Sequence, residues 1–204
     1  MRNKMKFLVA GTENRKSFFR RISLHYPTLS REYKEIERAY NYAKDAFRDK
    51  KRDGGERYFE HIRAVALILI DYLRVKDHRL IIAALLHDIV EDCPSWTVDR
   101  VRLEFDEQVA LLVEYMTKPS EKEFPDKKDR AEAYHLRFER ASRDFFLIKL
   151  ADRLHNVLTL WGCTKEKRAR KIAETREEYL PYAEKHFILY YELVDALEEL
   201  EKAA

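Results

Sequence analysis

The chain has 204 residues, with 40 Lys and Arg against 37 Asp and Glu, a net charge of +3. That length buries a core without disulfides or a structural metal, and 46% apolar residues exclude a disordered chain. Four Gly and five Pro are too few for an all-β fold, with its frequent turns, or for glycine-rich nucleotide loops.

The expected fold is therefore all-α, a single helical bundle of about eight or more helices. Mixed-sign charge suits solvated helix faces and does not call for nucleic acid. Cys93 and Cys163 lie far apart with no CxxC pairing, which suits free thiols in a reducing compartment. No apolar run approaches the roughly 18 residues of a membrane span. The basic N-terminus has an apolar run only over residues 7–10, too short for a signal peptide. A cytoplasmic protein with no membrane association is expected.

In chain order, residues 1–35 read as a partly helical extension whose Phe18 and Phe19 dock on the body or on a partner. Ser30 caps a helix with Tyr33, Ile36, Ala39, Tyr40, Ala43 and Phe47 at helical spacing. A loop over Asp49 to Glu56 carries Gly54 and Gly55. A buried helix follows from about Tyr58 to Arg74. The next runs from near Asp77 through IIAALLHDIVEDC until Pro94 stops it. Thr97 caps a short helix to Phe105, and another spans Glu107 to Met116. Lys118 to Lys128 reads as a charged loop, and Asp129 to Ala141 as a polar helix. FFLIKLADRLHNVLTLWG is a mostly apolar helix ended by Gly162. From Thr164 two more helices are expected, bent at Pro181. The stretch Phe187 to Leu197 is either core or a dimer seam. Four of the nine breakers, Gly54, Gly55, Pro94 and Gly162, border the segments that carry the chemistry.

Two of the most apolar helices contain polar residues that a core does not normally accept. His87, Asp88, Glu91 and Asp92 interrupt the first, with His87 and Glu91 one turn apart. On a helix, adjacent His and Asp project about 100° apart, so both reach one ion at the flank. Three carboxylates and an imidazole within six residues are costly to bury without a cation. Asp152 and Asn156 interrupt the late apolar helix, with Lys149 and Thr159 near the same face. Taken singly, each has a bland reading: a solvated helix end, a local ion pair, an interface histidine. His25, His78, His135 and His186 have only that reading.

Together, His61, His87-Asp88 and Asp152 form the H…HD…D pattern of the HD superfamily of metal-dependent phosphohydrolases. RYFEHIRAVALIL, AALLHDIVEDC and LIKLADRLHNVLTL resemble the hydrolase domain of the RelA/SpoT family, which removes the 3′-pyrophosphate from ppGpp and pppGpp. FDEQVALLVEYMTK and RKIAETREEYLPYA extend the likeness over roughly Tyr40 to Ala183, so residues 36–204 are expected to be an HD hydrolase domain. The resemblance implies four metal ligands: His61, His87, Asp88 and Asp152. It implies Mn²⁺, although such a donor set also accepts Fe²⁺ or Zn²⁺. It implies that Glu91 and Asp92 handle the water and its proton, with Asn156 beside the metal and substrate. Arg52 aligns with a nucleobase-contacting Arg, and Thr159 with a Thr of the base pocket. Lys149, Arg153 and lysines of the 118–128 loop are candidates to neutralise the pyrophosphate.

The chain departs from the family at Ile62 and Arg57, each usually Pro, and at Val157-Leu158, usually Met-Arg. It also departs at Asp53, often Lys, and at Phe105-Asp106, usually Phe-Gly. Several of these lie near the nucleotide, so guanine and adenine alarmones both stay open. About 20 residues follow the likeness, which leads to the expectation of a stand-alone small alarmone hydrolase with no synthetase domain. The alternatives are an HD nucleotidase with another substrate, such as ppApp, or a non-catalytic nucleotide- or partner-binding protein. Expected partners are a small nucleotide substrate and no nucleic acid; a homo-oligomer or a toxin-like synthetase partner stays open.

Overall fold

A computed structural model describes residues 13–202; residues 7–10, read above for a signal peptide, lie outside them. Among the described residues there is no strand, only an isolated bridge between Lys51 and Arg57. Helix α1 (Arg15–Ile22) starts on an Asn14–Ser17 capping box. Its Phe18 and Phe19 rings pack on Tyr40, with centroids 5.0 and 5.2 Å away. Helix α2 (Arg31–Ala46) starts at Ser30, whose side chain accepts from the Tyr33 N–H.

Helix α3 (Tyr58–Leu67) runs on as a π turn, Ile68–Tyr72. The segment expected to run unbroken to Pro94 is two helices, α4 (His78–Leu86) and α5 (Ile89–Asp92). The break falls at His87 and Asp88, where Asp88 leaves helical geometry at φ −104° and ψ 1°. The pair therefore meets at a corner rather than on one continuous helix flank. Thr97 and Asp106 cap α6 (Val98–Glu104) and α7 (Glu107–Met116). Helix α8 (Lys127–Leu136) tightens into a 3₁₀ turn, Arg137–Arg140.

Helix α9 (Arg143–Leu158), capped by Ser142, is the central rod. It touches α3, α4, α7 and the C-terminal helices, so even its polar residues Lys149, Asp152, Arg153 and His155 are buried. A 3₁₀ turn, Leu160–Gly162, ends it. After α10 (Lys165–Glu174) a π turn, Thr175–Tyr179, leads into α11 (Leu180–His186). Pro181 sits in the first turn of α11, where its missing N–H costs nothing. The chain turns later, at Phe187 and Leu189, both at positive φ, so α12 (Tyr190–Lys202) makes a third α-helix where two were expected. Ile188, Leu189, Leu193 and Leu197 are core, while Phe187 is 90% exposed. No helix among the described residues is long and apolar enough to cross a membrane.

Candidate metal centre and nucleotide cleft

Four side chains from three elements converge. His61 comes from the first turn of α3, His87 and Asp88 from the α4–α5 corner, and Asp152 from the middle of α9. Ligand atoms of His61, His87 and Asp88 lie within 4.8 Å of one another. Asp152 Oδ1 is 3.3 Å from His61 Nε2 and 3.8 Å from His87 Nε2. Asp88 Oδ2 is 3.1 Å from His87 Nε2 and 3.8 Å from His61 Nε2.

Each member is held from behind. The His87 Nδ1–H donates to the Ala84 carbonyl at 2.8 Å, which leaves Nε2 turned toward the cluster. The Tyr58 hydroxyl donates to Asp88 Oδ2 at 2.6 Å. Asp152 accepts from Asn156 Nδ2 at 2.6 Å and from Lys149 Nζ at 3.2 Å. His61 Nδ1 meets His155 Nδ1 at 2.9 Å, so one ring donates and the other accepts. With His61 Nε2 facing the cluster as a lone pair, its Nδ1 carries the proton and donates to His155.

Electrostatics favour a cation at this point. Burial works against a charged His87, yet Asp88 and Asp152 outweigh it and lift its pKa to about 9. Burial also works against a charged Asp152, but Lys149 and the histidines hold it well below the usual carboxylate range. Burial keeps His61 below its ordinary value and therefore neutral, the ligand form. Burial and the neighbouring Asp88 push the Tyr58 hydroxyl up, so it remains a donor. His87 Nε2 is fully buried and makes no hydrogen bond, its nearest carboxylate oxygen, Asp88 Oδ2, lying 3.1 Å away. An orphaned nitrogen among two carboxylates and a second imidazole fits a divalent ion.

The other expected residues divide. Arg52 reaches both Asn156 Oδ1 (2.8 Å) and Thr159 Oγ1 (3.1 Å), joining the 51–57 turn to α9. Glu91 and Asp92 are not in the cluster: Glu91 pairs with Lys118 Nζ (2.7 Å) and Asp92 with Lys50 Nζ (2.5 Å). Lys149 is tied to Asp152, with its ammonium 5.1 Å from the Tyr134 ring centre. Arg153 pairs with Glu174 at 2.7 Å and lies 3.7 Å over the Tyr179 ring. Arg52, Lys118, Lys149, Asp152, Arg153, Asn156 and Thr159 all line one cleft of about 330 Å³.

Sequence reasoning missed Tyr58, His155, Glu174 and Lys50. Two had a signal. Tyr58 is three residues before His61, and His155 three after Asp152, so each shares a helix face with a ligand. Glu174 and Lys50 come from distant elements and had none.

The fold and this centre define an all-α protein built around a buried cluster of two His and two Asp side chains. The HD domain family model matches residues 39–188, and the chain belongs to that family. It is 42% identical over 161 residues to a guanosine-3′,5′-bis(diphosphate) 3′-pyrophosphohydrolase of Aquifex aeolicus (strain VF5), covering 78% of this chain and 22% of that protein. It is 39% identical over 170 residues to the bifunctional (p)ppGpp synthase/hydrolase SpoT of Escherichia coli (strain K12), covering 82% of this chain and 24% of that one. The chain thus spans under a quarter of the length of these curated relatives. A solved structure of a metazoan ortholog of SpoT that hydrolyzes ppGpp superposes with a TM-score of 0.73 at 25% identity, covering 85% of this chain and 97% of that one.

Proposed function

We propose that this chain is a metal-dependent hydrolase that removes the 3′-pyrophosphate of a guanosine alarmone, converting ppGpp or pppGpp to GDP or GTP and pyrophosphate. The observation that carries the reading is the orphaned His87 Nε2 inside a two-His, two-Asp cluster at one end of a basic cleft. The relatives' pyrophosphohydrolase names and the ppGpp-hydrolyzing structural neighbour support it.

His61, His87, Asp88 and Asp152 would hold the ion, with Mn²⁺ as the assignment. Such an ion supplies Lewis acidity and a water of lowered pKa. Ala84, Tyr58, Lys149 and Asn156 keep the ligand atoms aimed inward, which lowers the reorganisation needed when substrate arrives. One of Glu91 and Asp92 takes the water's proton and the other helps to hold the water; each is paired with a lysine, Glu91 with Lys118 and Asp92 with Lys50. Lys149, Arg153 and Lys118 neutralise the pyrophosphate oxygens, where charge grows during phosphoryl transfer. Arg52 stacks on or bonds the base, with Thr159 beside it. The hydrolase unit is residues 36–204, with 1–35 an extension. The protein acts in the cytoplasm, with a second copy or an alarmone synthetase as the partner to look for.

The test is pyrophosphate release from ppGpp with Mn²⁺ and with a chelator. Turnover that needs the metal supports the reading. Tight nucleotide binding with no turnover in Mn²⁺ replaces it with a non-catalytic binder.

A further inference from the structure

The end of the cleft away from the metal centre carries a device that the hydrolytic chemistry does not use. Residues 51–57 form a tight turn. The Arg52 N–H donates to the Glu56 carbonyl and the Gly55 N–H to the Arg52 carbonyl, each at 2.9 Å. Gly55 sits at φ 87°, a conformation that favours glycine. The turn is seated on the end of the α9 rod, where a Cβ on Gly162 would come within 3.3 Å of Gly54 Cα. This close approach brings Asp53 against Lys167 in the first turn of α10. Lys167 Nζ binds Asp53 Oδ2, and the Cys163 thiol donates to the same oxygen at 3.7 Å. Asp53, Cys163 and Lys167 all line the cleft.

Asp152, Asn156, Thr159 and Cys163 follow one another at intervals of four, three and four residues. Asp152, Asn156 and Thr159 make a stripe of about 10 Å along α9 at 1.5 Å per residue, and the 3₁₀ turn beyond them leads on to Cys163 at the Asp53–Lys167 pair. A nucleotide lying on that stripe with its 3′-phosphates at the metal centre brings its base toward the pair. The pair presents a donor beside an acceptor. Guanine's Watson–Crick edge runs acceptor, donor, donor: O6, N1–H, N2–H₂. Lys167 matches O6, and the Asp53 carboxylate matches the two donors. Adenine in the same pose sets its N6–H₂ against the ammonium and its N1 lone pair against the carboxylate. Two unpaired polar contacts reject a ligand more strongly than one missing contact does.

We infer that Asp53 and Lys167 read the Watson–Crick edge of the base and make this cleft select guanine over adenine. The inference rests on the nucleotide-hydrolase reading above. The competing account is an ordinary surface ion pair. With side chains 58% and 38% exposed, such a pair adds little to stability, so the fold does not need it.

Two measurements on the full chain decide. One is the kcat/KM ratio for ppGpp over ppApp with Mn²⁺. The other is the calorimetric affinity ratio for GDP over ADP. Wild type should favour guanine by about 10- to 100-fold in both, the discrimination of one good bidentate contact. Asp53→Ala should bring both ratios to within about threefold of unity, and Asp53→Asn, which keeps one acceptor, should fall between. Wild type with no preference, or a preference for adenine, overturns base selection while leaving the hydrolase reading intact. An unchanged ratio in Asp53→Ala overturns it as well. Absence of turnover on both alarmones sinks the hydrolase reading, and the GDP-to-ADP ratio then decides base selection alone.

Discussion

His61 and His87, packed against Asp152 where it lines the cleft, are 1% and 0% exposed, whereas the Asp53 and Lys167 side chains, which also line it, are 58% and 38% exposed. The inner groups stand on or beside apolar helices and are held by neighbours: Tyr58 on Asp88 and His155 on His61 come from a second helix, and Lys149 and Asn156 hold Asp152 from its own. The outer pair stands on a turn and a helix start, in contact with solvent. A buried charge cluster is stable only when complete, because each unpaired member bears its full desolvation penalty. An exposed ion pair stabilises little and exchanges its partner for a ligand at small cost. Fixed chemistry suits the first environment and base selection suits the second.

The comparison breaks most visibly at Asp152. Asp152→Asn keeps the volume and should cut metal-dependent pyrophosphate release by at least about 10³-fold, with helical content unchanged by circular dichroism. Full activity in that variant would sink the metal-centre assignment. Asp152→Ala is the harsher test, because it also strands Lys149, which is only 6% exposed.

His155→Ala sharpens the same end. It leaves the His61 Nδ1–H without its acceptor, and Mn²⁺ affinity should fall by about 10- to 100-fold. Titrating the metal-free protein while following free Mn²⁺ by electron spin resonance reads this directly, and excess Mn²⁺ should restore turnover. Unchanged affinity would mean that His155 only fills space.

Glu174 lines the same cleft. Burial disfavours its charge, but Arg153 and Lys171 outweigh burial and lower its pKa from 4.5 to about 2. A carboxylate shifted down contributes stability that is present above about 4.5 and lost as pH falls toward about 2. Glu174→Gln removes that dependence and strands Arg153, costing about 1–3 kcal/mol near neutrality after discounting for partial exposure. Urea unfolding at pH 6 and at pH 3 should show wild type losing its advantage over the variant as pH drops. An equal gap at both values contradicts the linkage.

The smallest effect is expected at the turn. Gly162→Ala presses a methyl on Gly54 Cα at 3.3 Å. It should cost under about 1 kcal/mol of stability and weaken GDP binding by about two- to fivefold. A variant that binds GDP like wild type would show that the seat of the turn does not matter to the base end.

Much of the framework was legible. Ser30 and Thr97 cap helices as the sequence indicates, because local spacing and capping chemistry act over a few residues. The resemblance named His61, His87, Asp88 and Asp152, and the fold brings their ligand atoms together. Periodicity alone ran the His87 segment through as one helix. At the break Tyr58, from another helix, holds Asp88, a tertiary contact that no helical spacing reports. The same holds at Phe187 and Leu189, whose positive φ carries no glycine signal.

The sequence by itself determined an all-α chain, because scarce breakers and periodic apolar residues leave few other ways to bury 46% apolar content. It also determined which polar residues had to be explained, because a charged group in an apolar helix is costly wherever that helix packs. Only the tertiary structure decided which cations meet which anions. Lys118 went to Glu91, Lys50 to Asp92 and Lys167 to Asp53. Pairing over such separations depends on how helices cross, and crossing is set by the packing of whole faces rather than by any local run of residues.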